Sequence, residues 1–226
     1  RLLDRLPSGR KPPVHAGSER WLGAARAPVD SAAAADLIAR AMDGEGTLTV
    51  IALGAITNVA SALLLEPRIA ARVRILWLGG HPVEEGRNTH EFNLRQDPEA
   101  VRVVLDSGAP LILFPCENVA SHLLTCVPEL ETSLGRVNPL AEFLIDRVRD
   151  YHADHVAWMK EIWDLAPGAW LLEPRSVMTR VIPAPRLRDD LTWDCADRAR
   201  HPVRVATMLW RNAVFADLFR KLRGMK

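Results

Sequence analysis

The chain has 226 residues, 29 Lys and Arg against 28 Asp and Glu, and a formal net charge of +1. Acids and bases are interspersed and no basic tract occurs, so nucleic acid is not an expected partner. Hydrophobic residues make up 48% of the chain, which supplies a sizeable core, but the apolar runs are too short to span a bilayer.

Cys116, Cys126 and Cys195 are odd in number and lack metal-ligand spacing, which points to a reduced, cytoplasmic protein. The first residue is Arg and no leader pattern follows, so the chain reads as processed or as a fragment. Leu2, Leu3 and Leu6 read as the tail of a helix. Residues 12–17 (PPVHAG) read as a short extended piece ending in a turn. Asp30 or Ser31 caps an alanine-rich helix over residues 32–42, closed by Gly44. Residues 48–53 (LTVIAL) form a short apolar run rich in β-branched side chains and predict a buried strand. Residues 54–58 (GAITN) turn directly into a second helix.

The alternation repeats. Residues 74–78 (RILWL) predict a strand ending in Gly79-Gly80. Residues 97–107 predict a helix with Asp97 as cap and Pro98 in its first turn, and residues 110–114 (PLILF) a further strand. Continuous apolar strands alternating with helices predict an α/β fold: an open, mostly parallel sheet with helices on both faces. Beyond Pro115 the pattern predicts a short helix to residue 134, a long one over 138–160, and another over 164–172. Residues 176–182 and 187–194 predict a C-terminal antiparallel hairpin, followed by a strand at 203–209 and a closing amphipathic helix at 212–222. No linker or repeat divides the chain, so residues 1–226 read as one domain.

Residues 86–100 (GRNTHEFNLRQDPEA) hold the most suggestive chemistry. In an extended segment Glu91 and Asn93 point to the same side. A carboxylate and an amide side by side suit the hydroxyls of a small polyol. The alternative is a capped loop whose polar groups satisfy local backbone. In open parallel sheets ligands bind beyond the carboxyl ends of the strands. Residues 54–58, Gly79-Gly80 and residues 116–118 all fall at such ends.

LGAITNVASALLLEPRI (residues 53–69), WLGG (77–80), EFNLRQDPEA (91–100) and IWDLAPGAWLLEP (162–174) together resemble the inosine-uridine-preferring nucleoside hydrolases. The resemblance implies cleavage of the N-glycosidic bond of ribonucleosides, purine or pyrimidine, to ribose and free base, with Ca2+ as cofactor. It implies that Asp164 and the backbone carbonyl of Leu53 are calcium ligands. It also implies that Glu91, Asn93 and Asn88 contact ribose hydroxyls and that Leu78 packs on the sugar. Trp163 stands where many members carry a leaving-group His; some purine-preferring members have Trp there, which stacks on the base. Members are homodimers or homotetramers.

One part of the family pattern is missing. Its first strand ends in Asp-x-Asp-x-Gly-x-Asp-Asp, which supplies calcium carboxylates and the general base. The chain has no such motif, so the first strand region is expected to be absent. The adjacent Asp189 and Asp190 read as a solvated strand end. With one carboxylate and one carbonyl, weak calcium affinity is the expectation. The alternative reading is therefore a catalytically impaired remnant or fragment that keeps part of the ribose pocket.

Other constellations read as structural. His152 and His155 lack a third metal ligand. Cys116 has no cationic activator and reads as a buried, inert thiol. Ser121-His122 lacks a nucleophile elbow. Trp158 and Trp170 read as packing residues.

Overall fold

The computed structural model describes residues 12–225, so the helix tail expected at Leu2, Leu3 and Leu6 lies outside the described residues. In chain order the first elements are α1 (Ala32–Asp43), β1 (Leu48–Ala52), α2 (Thr57–Leu65), β2 (Val73–Leu78), α3 (Phe92–Gln96), α4 (Pro98–Asp106) and β3 (Leu111–Phe114). There follow β4 (Leu124–Thr125), α5 (Val127–Leu134), α6 (Pro139–Arg149), β5 (Lys160–Glu161) and α7 (Leu165–Leu172). The chain closes with β6 (Val177–Pro183), β7 (Arg186–Leu187), β8 (Trp193–Asp194), β9 (Pro202–Leu209) and α8 (Arg211–Gly224).

The central sheet has the order β1-β2-β3-β9-β6. Its first four strands run parallel, and β6 adds an antiparallel edge against β9. Register brings Ile51, Leu76, Ile112 and Arg204 into one row. Side chains alternate between the two faces, as the pleat requires. Ile75, Trp77, Leu113 and Val205 join Val59, Leu63, Val101 and Val104, burying α2 and α4 on one face. Leu76, Leu78, Phe114 and Ala206 join Ala166, Val214 and Phe215, burying α7 and α8 on the other. Helices on both faces explain why the central strands carry no polar stripe. Leu134, Leu140, Ile145 and Leu222 form a smaller cluster that fastens α5 and α6 to the end of α8.

Local chemistry sets the boundaries. The Ser31 side chain accepts from the Ala34 N–H and opens α1. Asp97 caps α4, with Pro98 at its first position, as expected from the sequence. Gly108 closes it with φ +74°, a conformation that costs glycine little.

Three expectations need correction. An antiparallel C-terminal hairpin is present, but β7 and β8 form it over residues 186–194. The segment expected as its first strand, β6, pairs instead with β9. Asp189 and Asp190 fall between β7 and β8, where Asp190 Oδ1 accepts from the N–H and hydroxyl of Thr192. The helix expected over residues 138–160 ends with α6 at Arg149. His155 Nε2 lies within hydrogen-bond reach of the carbonyls of Arg149 and His152, and Trp158 packs against the rings of Tyr151, His152 and His155. These contacts fold residues 150–159 into a compact turn instead of a further helical span. Finally, Glu91 and Asn93 do not lie on an extended segment, because Glu91 is the N-cap of α3 and Asn93 lies in its first turn.

Candidate active site

The carboxyl ends of β1, β2 and β3 open into one cavity of about 780 Å³. That volume lies in the range of small-molecule sites. Leu53 borders it just after β1, Leu78 at the end of β2, and Cys116 and Glu117 just after β3. Trp163 and Asp164 enter from the start of α7, and Tyr151 from the turn after α6. Glu91, Phe92, Asn93 and Arg95 come from α3 and its cap.

Six of the seven residues expected to form a site therefore meet: Leu53, Leu78, Glu91, Asn93, Trp163 and Asp164. Asn88 does not border the cavity. Its Oδ1 accepts from the backbone N–H of His90 at 2.8 Å, and its backbone forms an isolated bridge with Thr192.

Glu91 is 7% exposed. Its Oε1 accepts from Asn93 N–H at 2.9 Å, and its Oε2 from Gly80 N–H at 2.9 Å and Leu94 N–H at 3.1 Å. One carboxylate thus caps α3 and ties that helix to the loop after β2, while still bordering the cavity. The reading of this stretch as a capped loop that satisfies local backbone therefore holds for Glu91. Asn93 commits its Nδ2 to the carbonyl of Leu78 at 2.9 Å, which leaves Oδ1 as the acceptor its amide offers.

Gly80 makes this arrangement possible. Its φ is +73°, and a Cβ there would lie 2.8 Å from Thr89 Oγ1 and 3.2 Å from both Leu94 Cδ1 and Trp193 Cζ2. Gly80 also accepts from Cys116 N–H at 2.9 Å, which draws the ends of β2 and β3 together. Burial, then the nearby Glu91 carboxylate, pushes the Cys116 thiol far above its ordinary value. It stays protonated and unreactive, as the sequence reading of an inert thiol requires. Burial also raises the Asp164 carboxyl, and Lys160 pulls it partly back.

The loop after β1 turns out to be structural beyond Leu53. Thr57 Oγ1 donates to Asp97 at 2.6 Å, and Asn58 Oδ1 accepts from Ser18 N–H and Oγ. Asp97 is 2% exposed and also accepts from Leu22 N–H and Ala100 N–H. His81, His90, Glu117, Ser121 and Tyr151 were not singled out from the sequence as substrate contacts. His81 directly follows Gly79-Gly80 and Glu117 follows β3, and strand-end position was the signal available for both.

Metal chemistry has a meagre donor set here. Among the described residues no group of three or more His, Cys, Asp or Glu side chains could hold a metal ion. Of the three carboxylates that border the cavity, Glu91 is held by backbone N–H groups and Glu117 by Arg87, which leaves Asp164 as the one best able to take a cation. Calcium takes ~6–8 oxygens, so the described residues alone do not fit it. His152 and His155 spend ring nitrogens on backbone groups.

The sequence model of the inosine-uridine preferring nucleoside hydrolase family matches residues 6–217. The chain belongs to this family. A pyrimidine-specific ribonucleoside hydrolase, RihB, of Escherichia coli is 32% identical over 108 residues, covering 46% of the chain and 34% of that protein. RihB of Shigella flexneri matches to the same extent. The alignment thus spans about a third of the length of these curated relatives. Among solved structures, the plant nucleoside hydrolase PpNRh1 superposes with a TM-score of 0.73 at 24% identity, covering 87% of the chain and 68% of its own. A purine-preferring ribonucleoside hydrolase from Gardnerella vaginalis superposes at 0.71 and 20% identity, covering 87% and 66%. At that identity these two establish the nucleoside hydrolase fold. No helix among the described residues is long and apolar enough to cross a membrane.

Proposed function

We propose that the cavity at the ends of β1, β2 and β3 is a ribonucleoside pocket, and that the protein it belongs to hydrolyses the N-glycosidic bond to give ribose and free base. The observation that carries this reading is the convergence of Glu91, Asn93, Leu78, Leu53, Trp163 and Asp164 on one cavity from four separate segments of a nucleoside hydrolase chain. Glu91 and the Oδ1 of Asn93 bind ribose hydroxyls, and Leu78 supplies the apolar floor. Trp163, with Tyr151 beside it on the same cavity, offers ring surface to the base.

The chemistry of the walls suits the reaction. Glycosidic cleavage proceeds through an oxocarbenium-like transition state. The Glu91 carboxylate is held by three backbone N–H groups and needs no reorganisation to face a ring that gains positive charge. Asp164 adds a second carboxylate to the same cavity. The calcium implied by the resemblance has Asp164 and the Leu53 carbonyl as its candidate ligands, too few for tight binding. The same scarcity favours a second reading, in which the chain is a catalytically impaired part of a nucleoside hydrolase that keeps the sugar pocket. We place the protein in the cytoplasm as a homodimer or homotetramer.

The test is ribose release from inosine and from uridine, with calcium and with a chelator. Calcium-dependent release supports the hydrolase reading. Binding of nucleoside without release supports the impaired one. Neither binding nor release contradicts both.

A further inference from the structure

We infer that a second cavity, at the opposite end of the central sheet and lined by Arg74, Arg204 and Trp170, binds a phosphate ester carried on an aromatic ring. This second site stands whether or not the first cavity holds a ribonucleoside.

The pleat sends alternate residues to opposite faces of the sheet. On β2, Leu76 and Leu78 are buried against α7 and α8, so Arg74 emerges on that same face. Ile112 of β3 belongs to the same cluster, and its register partner on β9 is Arg204. Val181 of β6 pairs with Arg204 in turn. The two helices cover the later rows of this face, at Leu76, Phe114 and Ala206. The rows at the amino ends of β2, β3 and β9 stay open, and there a cavity of about 400 Å³ is lined by these strand residues and by Trp170 of α7. Glu91 and Asp164 border the first cavity at the carboxyl ends, so the two sites lie at opposite ends of the sheet.

A sheet face packed under helices is ordinarily apolar, and two cations on it call for a counter-charge. No acidic side chain lines this cavity. Arg74 makes no hydrogen bond or ion pair among the described residues. Arg204 donates from Nη1 to Thr179 Oγ1 at 2.9 Å, and that hydroxyl is neutral. Arg200 and Arg211 differ, since each meets a carboxylate. One strand, β3, separates Arg74 from Arg204, so their backbones stand roughly 10 Å apart across the sheet. Guanidinium forks match phosphate oxygens in geometry as well as charge. A phosphate received between the two arginines supplies the counter-charge that the protein does not. Trp170 is partly buried against the cluster under α7 and turns the rest of its indole to the cavity. Ile112 and the exposed Val181 add aliphatic surface beside it. Two cations next to an aromatic and an aliphatic wall suit a ring that carries a phosphate better than a bare anion.

The experiment is calorimetric titration of the chain with phenyl phosphate and with inorganic phosphate. The expected result is about tenfold tighter binding of phenyl phosphate, the worth of one aromatic contact. Arg74→Gln weakens both ligands about tenfold, as the loss of a charge-assisted hydrogen bond does. Arg74 is exposed and bonded to no described residue, so this variant keeps the fold. Trp170→Leu brings phenyl phosphate down to the affinity of inorganic phosphate and leaves the latter unchanged. Trp163→Ala, in the first cavity, alters neither. Equal affinity of the unaltered chain for the two ligands overturns the inference, and so does binding of neither. Binding that survives both Arg74→Gln and Arg204→Gln, or that is lost in Trp163→Ala, places the ligand elsewhere and overturns it too. Each of these outcomes leaves the ribonucleoside reading to its own test with inosine and uridine.

Discussion

The Oε2 of Glu91 accepts the backbone N–H of Gly80 at 2.9 Å across 11 positions of chain. That bond fastens the cap of α3 to the exit of β2, so the stability of the helix and the shape of the cavity depend on the same carboxylate. Replacing it with an amide puts a donor where three N–H groups already point. Glu91→Gln is therefore expected to cost about 1–3 kcal/mol of stability, the penalty for buried donors left unpaired. It should also weaken nucleoside binding. Urea unfolding and calorimetry check the two effects; loss of binding with no loss of stability would contradict the shared role.

Gly80→Ala meets a harder obstacle. The residue must keep φ +73° and fit a methyl 2.8 Å from Thr89 Oγ1. Backbone strain of this kind costs ~1–3 kcal/mol. The variant should unfold at lower urea and bind nucleoside less tightly, because Glu91 and Cys116 both lose their anchor. A variant as stable as the parent would show that the loop after β2 is looser than described.

Asp97 offers the contrasting case. Its carboxylate joins residue 22, α2 and α4 but does not border the cavity. Asp97→Ala removes a cap and strands the Leu22 N–H and the Thr57 hydroxyl, for a loss of about 2–3 kcal/mol. The folded fraction should bind nucleoside with nearly unchanged affinity. An affinity loss as large as that of Glu91→Gln would place Asp97 in the site.

Cys116 carries a pH prediction. Burial and Glu91 raise its pKa in the folded chain, whereas the unfolded thiol ionises near ~8.5. Above that value the unfolded state binds fewer protons than the folded one, so stability falls as pH rises. The slope approaches about 1.4 kcal/mol per pH unit and persists until the folded thiol itself ionises. Cys116→Ala should flatten the alkaline limb of a stability-against-pH curve. Below about pH 7 the unfolded thiol also stays protonated and the group contributes almost no slope.

Trp163→Ala separates base from sugar. Ring surface lost from the cavity should weaken inosine binding about tenfold or more, at 1–3 kcal/mol per stacked base, while affinity for free ribose changes little. Equal losses for inosine and ribose would move Trp163 from the base to the sugar.

The parallel core was legible from β1 to β3 because these strands are short continuous apolar runs punctuated by glycine, and they pair in sequence order. The C-terminal pairing was harder to read. β6 finds its partner across the intervening β7–β8 hairpin, and local alternation cannot distinguish residues 187–194 from 202–209 as that partner. The helix read over 138–160 was too long because its apolar period continues through Tyr151 and His155. What ends it is a cluster of rings on Trp158. Six of the seven expected residues border one cavity because their motifs place them at strand and helix ends. Asn88 does not, since the direction of its side chain depends on a bond to its neighbour His90. His81 and Glu117 belong to no motif and meet only when β2 and β3 lie side by side.

The central claim is that this one cavity holds a ribonucleoside. A crystal structure of the chain soaked with inosine tests it most directly. The account predicts ribose over Leu78, with its hydroxyls on Glu91 and Asn93 and the base against Trp163. Inosine bound elsewhere, or a cavity still empty at saturating nucleoside, would contradict it.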